Sequence, residues 1–224
     1  MTAEITLYHT PDYASTIIRL ALEELALPHT IAPLDPEAGD LASPAYRAVN
    51  PLGLMPAMMT PDGPIFETAA ILLWLVHHTG RLGAGPTDPD RAAFLSWLFF
   101  TANTLHVTMM QLIHPHRAAG DAGIAAVEAR AFAALNLQAG HLETLITTKA
   151  PRWLSAAEPG VLGYYLGILL RWPAMMPEDP ALRFDLRPFP ALKAVLAAHE
   201  ARPAALRVAE MDELGPTPFT NPRF

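Results

Sequence analysis

The sequence predicts a small α/β domain followed by an all-α bundle. Two patterns carry this expectation. From Glu4 to Thr79, short apolar runs alternate with helical apolar spacing. Beyond the Gly- and Pro-rich stretch GRLGAGPTDP (Gly80 to Pro89), helical spacing continues and no strand pattern returns.

Glu4 to His9 reads as a strand, and Thr10-Pro11-Asp12 as a turn. Ser15 to Leu25 reads as a helix, with Ile18, Ala21, Leu22 and Leu25 on one face; Pro28 stops it. His29 to Pro33 is a second strand, and the order strand–helix–strand suggests a parallel unit. Asp35 to Leu54 is loop with room for one helical turn. Ala57–Thr60 and Pro64–Phe66 form an antiparallel hairpin across Thr60-Pro61-Asp62-Gly63, because Pro presets φ and Gly accepts a left-handed φ. Glu67-Thr68 opens a helix with Ala69, Ile71, Leu72, Leu75 and Val76 as its apolar side. Asp90–His114 and Gly123–Thr147 are long helical runs. Ser155-Ala156-Ala157-Glu158 has capping-box spacing ahead of Val161, Leu162, Tyr165 and Leu169. Pro190–Ala201 and Pro203–Leu214 are two further helices.

The 224 residues suit one large domain or two small ones and need no covalent staple. With no Cys, a Cys nucleophile, a CxxC redox motif and a thiolate zinc site are excluded. The lack of Cys fits a reducing, cytoplasmic setting. Apolar residues make up 51%, yet no run approaches the ~18 needed for a membrane span. The start, MTAEITLYHT, lacks the basic and apolar regions of a secretory signal. Net charge is −7 with no basic stripe, which speaks against nucleic acid. Adjacent His77-His78 point about 100° apart on a helix and cannot chelate one ion well. Neither that pair nor His114-Pro115-His116 has a carboxylate cluster beside it, so no metal is expected.

This layout resembles the glutathione S-transferase family, and individual segments match. LYHTPDYASTIIRLALEEL (Leu7–Leu25) is similar to the family's first strand, active-site loop and first helix. NPLGLMP (Asn50–Pro56) resembles its Asn-Pro-x-Gly-x-Val-Pro stretch, with Met55 where Val is usual. Glu67-Thr68 resembles the Glu-Ser pair opening the third helix. Ser155-Ala156-Ala157-Glu158 resembles the Ser-x-x-Asp N-cap of the C-terminal core helix. The resemblance implies a thioredoxin-like glutathione-binding domain over residues 1–82, a linker over 83–89, and an all-α domain over 90–224. It further implies a cytoplasmic homodimer that uses glutathione as co-substrate, with no metal.

By that resemblance Pro56 follows a cis bond, and Leu54, Met55 and Pro56 meet the cysteinyl backbone of glutathione. Thr68 holds the γ-glutamyl carboxylate and Glu67 faces the α-amino group. Glutathione's thiol, with a pKa of about 8.5, is mostly unreactive at neutral pH and needs a donor hydroxyl. Tyr8, Tyr13, Ser15 and Thr16 are the candidates. Aligned on Arg19, Tyr8 falls where Tyr-type classes carry the catalytic tyrosine, and Tyr13 where Ser-type members place serine. Ser15 stands at the N-cap of the first helix. The position of the bacterial Cys corresponds to Ala14, so a Ser- or Tyr-type loop is expected. Trp97, Phe100, Thr101 and His106 lie on the helix bordering the family's electrophile pocket; spacing alone does not assign the face. The implied activity is conjugation of glutathione to a small apolar electrophile. The alternative is a non-catalytic binding or assembly module of the same fold; zero Cys disfavours a thiol–disulfide reductase.

Overall fold

The computed structural model describes residues 5–223. Glu4, expected to open the first strand, lies outside the described residues, as do residues 1–3 and 224. Strand β1 (Ile5–His9) alternates buried Ile5, Leu7 and His9 with half-buried Thr6 and Tyr8. It sits inside a four-stranded sheet of order β2-β1-β3-β4, with β2 at His29–Pro33, β3 at Ala57–Thr60 and β4 at Gly63–Phe66. β1 runs parallel to β2 and antiparallel to β3, and β3–β4 is the expected hairpin. At its turn, Thr60 Oγ1 donates to the Gly63 carbonyl at 2.8 Å and accepts from Asp62 N at 3.1 Å. Gly63 there has φ 113°, open to glycine without strain.

The register brings three connections together. Tyr8 pairs with Ala57, and Ala57 with Phe66. The loop leaving β1, the segment entering β3 and the segment leaving β4 therefore emerge from one end of the sheet. Helix α1 (Ala14–Leu25) follows the first of these. Helix α3 (Thr68–Thr79) follows the last. Their apolar faces, Ile17, Ile18, Leu20 and Leu22 on α1 and Ile71, Leu72, Leu75 and Val76 on α3, are fully buried. Between β2 and β3, the single turn α2 (Pro44–Arg47) is capped by Ser43 Oγ, which accepts from Tyr46 N.

The rest of the described chain is helical. α4 (Arg91–Phe100) and α5 (His106–Ile113) form one continuous rod, as expected from Asp90 to His114. The rod is interrupted by a π-helical turn at Thr101–Leu105. α6 (Ile124–Lys149) packs beside it, and α7 (Val161–Met175) is buried along almost its whole length. α8 (Pro190–Glu200) and α9 (Pro203–Met211) both begin on a proline at the first helical position.

The expected capping box does not cap α7. Ser155 Oγ accepts from Glu158 N at 3.2 Å, but the helix starts at Val161 behind Gly160, with no side-chain cap. Pro159 and Gly160 separate the box from the helix. Tertiary partners take over instead: Val161 N donates to the Leu82 carbonyl and Gly160 N donates to His199 Nε2, each at 2.9 Å.

α1 is gripped from the helical side by buried polar contacts. Glu24 accepts from Tyr164 at 2.6 Å and from two nitrogens of Arg202 at 2.7 and 2.8 Å. Asp212, just beyond α9, accepts from Arg19 and from Thr16 Oγ1, and lies 3.2 Å from His9 Nε2. A carboxylate with a fully buried side chain is tolerated only when paired in this way.

Candidate functional site

Two helix N-termini open at the end of the sheet where β1, β3 and β4 deliver their connections. On α3 the first helical bond is Ile71 N to the Glu67 carbonyl, and no side chain caps the terminus. The donors ahead of Ile71 and the positive end of the helix dipole favour an anion there. Thr68 is buried at that terminus and Glu67 is exposed beside it. Glu67 has φ 73° and ψ 123°, a conformation rare for a side-chain-bearing residue and characteristic of functional positions. On α1 the N-cap is Tyr13, whose side chain makes no cap and is 43% exposed.

Between the two termini, the Met55–Pro56 bond is cis. Pro56 is buried, Met55 half-buried and Leu54 exposed. Met55 lies outside the β3 ladder, which begins at Ala57. The loop before it is shaped internally. The Leu54 carbonyl accepts from Tyr46 Oη at 2.7 Å and from Asn50 Nδ2 at 2.6 Å, and Asn50 Oδ1 accepts from Leu52 N. Burial pushes the Tyr46 phenol up to about 12, with the Asn50 contact opposing.

The four candidate hydroxyls part company. Ser15 is fully buried: its Oγ donates to the Thr10 carbonyl, accepts from Thr10 N and lies 3.0 Å from His9 Nδ1. It pins the loop from within, and its bonding capacity is taken up there. Thr16 is likewise buried and donates to Asp212. Tyr8 is half-buried, its ring edge-on to Tyr46 at 5.5 Å. Tyr13 alone of the four is exposed, and it stands at a helix N-terminus.

The helical domain packs against this end of the sheet through α7 and the start of α5. Trp172 Nε1 donates to the Asp12 carboxylate at 2.9 Å, and Arg171 Nε lies 3.1 Å from both of its oxygens. Tyr165 reaches toward α3. Burial drives its phenol far above the usual range, hydrogen bonding from Thr68 opposes this, and the charge of Glu67 adds to it. The same hydroxyl lies 2.9 Å from His106 Nδ1, and the His106 ring tilts against Trp172. Burial pushes His106 down to about 4, so it is neutral at physiological pH.

Of the residues expected on the substrate side, His106 therefore faces the sheet end. Thr101 is buried, with Oγ1 spent on the Trp97 carbonyl. Phe100 packs edge-on to Trp97 at 5.1 Å. Trp97 lies apart from His106. It lines a groove of about 670 Å³ between α4 and α6, together with Trp153, His141 and Lys149. With the π turn between them, the two side chains meet different neighbours, Trp97 the α6 side and His106 the α7 side.

Asp12, Tyr165, Arg171 and Trp172 join this region although no local motif marks them for it. One signal was present: Arg171 is the lone charge in the apolar run VLGYYLGILLRW, and a charge so placed needs a buried partner.

Comparison with known proteins follows the same outline. Residues 14–78 match the family model described as "Glutathione S-transferase, N-terminal domain". The disulfide-bond oxidoreductase YfcG of Escherichia coli (strain K12) is 28% identical over 218 residues, covering 94% of this chain and 97% of that protein. A Sulfitobacter glutathione transferase homolog, crystallised with bound glutathione, superposes with a TM-score of 0.76 at 24% identity, covering 93% of this chain and 98% of that one. Residues 14–78 thus match that family's N-terminal domain, and the chain as a whole is similar to glutathione S-transferase relatives. Glutathione S-transferase F9 of Arabidopsis thaliana, 31% identical over 106 residues, covers 46% of this chain and 49% of that protein. This chain's architecture is a thioredoxin-like domain followed by a helical domain, the fold of the superposed glutathione transferase homolog. No helix among the described residues is long and apolar enough to cross a membrane.

Proposed function

We propose that the protein binds glutathione across the end of its sheet and transfers the thiolate to a small apolar electrophile. The observation carrying this reading is the α3 terminus: free main-chain donors, buried Thr68 and exposed Glu67 at one point. The γ-glutamyl carboxylate would accept from Thr68 and the terminal amides, while Glu67 faces the α-ammonium. Met55, with Leu54 and Pro56 beside it, would pair with the cysteinyl backbone in strand fashion. The thiol then lies toward the α1 terminus, the other positive helix end. There we assign the activating hydroxyl to Tyr13, because Ser15 and Thr16 are spent on buried partners. A donor bond to sulfur together with the helix terminus favours thiolate over thiol. The electrophile would rest against α7 and the start of α5, which carries His106.

A second reading has support from the YfcG match, since that relative is a disulfide-bond oxidoreductase. The lack of Cys in this chain does not disfavour such chemistry, because glutathione itself supplies the attacking thiolate. The same site would then direct sulfur at a disulfide rather than at carbon. The family's homodimer belongs to this proposal too; exposed Phe99 and Leu137 on α4 and α6 support it. A cytoplasmic setting belongs to the same proposal, supported by the lack of Cys.

Calorimetry with glutathione, followed by turnover of an aryl halide and of a mixed disulfide, tests the reading and separates its two branches. Thr68→Ala is expected to weaken glutathione binding roughly 10- to 100-fold, the worth of one hydrogen bond to a charged group. Binding unaltered by that change would remove the α3 terminus from the site.

A further inference from the structure

The loop that presents Tyr13 is held by a buried charge from the opposite domain. Asp12 has φ 56° and stands between the end of β1 and the Tyr13 N-cap. Both its carboxylate oxygens lie 3.1 Å from Arg171 Nε. Trp172 Nε1 donates to Oδ1 at 2.9 Å and to the Asp12 main-chain carbonyl at 3.1 Å. The Arg171 side chain is 3% exposed and also donates to the Leu214 carbonyl at 3.0 Å. From the other side, Ser15 Oγ holds both the N–H and the carbonyl of Thr10. The four-residue turn Thr10–Tyr13 is thus clamped between α1 and α7.

We infer that Asp12 is a positioning residue for the thiol site: paired with Arg171 and Trp172, it fixes where the Tyr13 hydroxyl and the α1 terminus meet sulfur. This rests on the proposed glutathione reading but makes a separate claim about the loop. A carboxylate next to the Tyr13 position would by itself disfavour a thiolate, since like charges repel. Its pairing with a buried guanidinium cancels that cost while leaving a charge-assisted anchor, the strongest kind of hydrogen bond available to a turn. Positive φ at this position also suits Asp and Asn better than most side chains.

The test uses the whole protein with Asp12→Asn and Arg171→Met. Asn keeps the shape and the φ preference but loses the charge. Two readouts are taken: hydrogen exchange of the amides from Thr10 to Thr16, and the ultraviolet titration of the bound glutathione thiolate. Expected in both variants are exchange about tenfold faster in that segment, and a bound thiol titrating nearer the free value of about 8.5. A fall of about tenfold in kcat with the glutathione KM within about twofold should accompany this. If Asp12 were only an electrostatic neighbour, Asp12→Asn would lower the thiol pKa; that result, or unchanged segment exchange, overturns the inference. If the wild type leaves the thiol at its free value, the glutathione reading fails, and the exchange arm alone decides whether the clamp exists. Loss of protection throughout the molecule in Arg171→Met, with Asp12→Asn unchanged in the turn, would make the pair a folding element and overturn the positioning role.

Discussion

At the residue scale, burial decided among hydroxyls that look equivalent in the primary structure. Ser15 and Tyr13 are two positions apart on the loop leading into α1, yet one is sealed in and the other is 43% exposed. The difference follows from the helix: Ser15 is one residue into α1, on the side that meets His9 and Thr10, whereas the cap position Tyr13 projects outside the first turn. Tyr13→Phe should therefore raise the pKa of bound glutathione toward about 8.5 and lower turnover at neutral pH, with little change in glutathione affinity. Ser15→Ala should instead loosen the turn, and turnover against pH separates the two. The helix start at Thr68 was legible as a local pattern, whereas its proposed role rests on the resemblance. Asp12 was not, because its partners are Arg171 and Trp172 on a distant helix.

At the element scale, the π turn at Thr101–Leu105 sets where His106 points, and the small residues of α7 set how closely that helix packs on its neighbours. Each α-helical residue advances about 100°, so a widened turn re-aims everything after it. Deleting the exposed Asn103 should restore regular α geometry and swing His106 away from Tyr165. Far-ultraviolet circular dichroism is expected to stay constant while electrophile turnover falls at least about tenfold. On α7, Gly163 allows close approach: a Cβ there would lie 2.1 Å from His199 Nε2. That ring cannot move aside, since Nε2 accepts from Gly160 N and Nδ1 lies 2.9 Å from the Val195 carbonyl. Gly163→Ala should cost about 3 kcal/mol or more in urea unfolding, the upper end of overpacking. The capping motif failed at this same scale, because Pro159-Gly160 displaced the helix start and left its cap to Leu82 and His199.

At the scale of the whole molecule, pH couples to stability through groups buried between the layers. Burial alone would raise the Glu24 carboxyl, but hydrogen bonds from Arg202 and Tyr164 and the charge of Arg202 outweigh it and hold it below its ordinary 4.5. Its contribution is present above 4.5 and lost as pH falls through the depressed value. His106 acts over a higher window. Unfolding restores an ordinary value near 6.5, whereas the folded imidazole takes up its proton only near 4. The unfolded state therefore binds more protons between those values, and stability falls as pH drops from 6.5 toward 4. The ceiling for His106 is about 3 kcal/mol, less where water reaches the ring. His106→Gln should flatten this part of the denaturation-against-pH curve while leaving stability above pH 7 nearly unchanged.

The primary structure by itself determined the division into an α/β unit and a helical unit, because apolar periodicity reports locally which face of each element is buried. It determined the strand and helix order, the hairpin turn, and the α3 terminus with Glu67-Thr68, all of them features of neighbouring residues. Tertiary structure alone decided which hydroxyl faces outward, that Trp97 and His106 occupy different faces of one rod, and that Arg171 reaches back to Asp12. Those outcomes depend on contacts between residues far apart in the chain, and on a single π turn whose added rotation no local propensity announces.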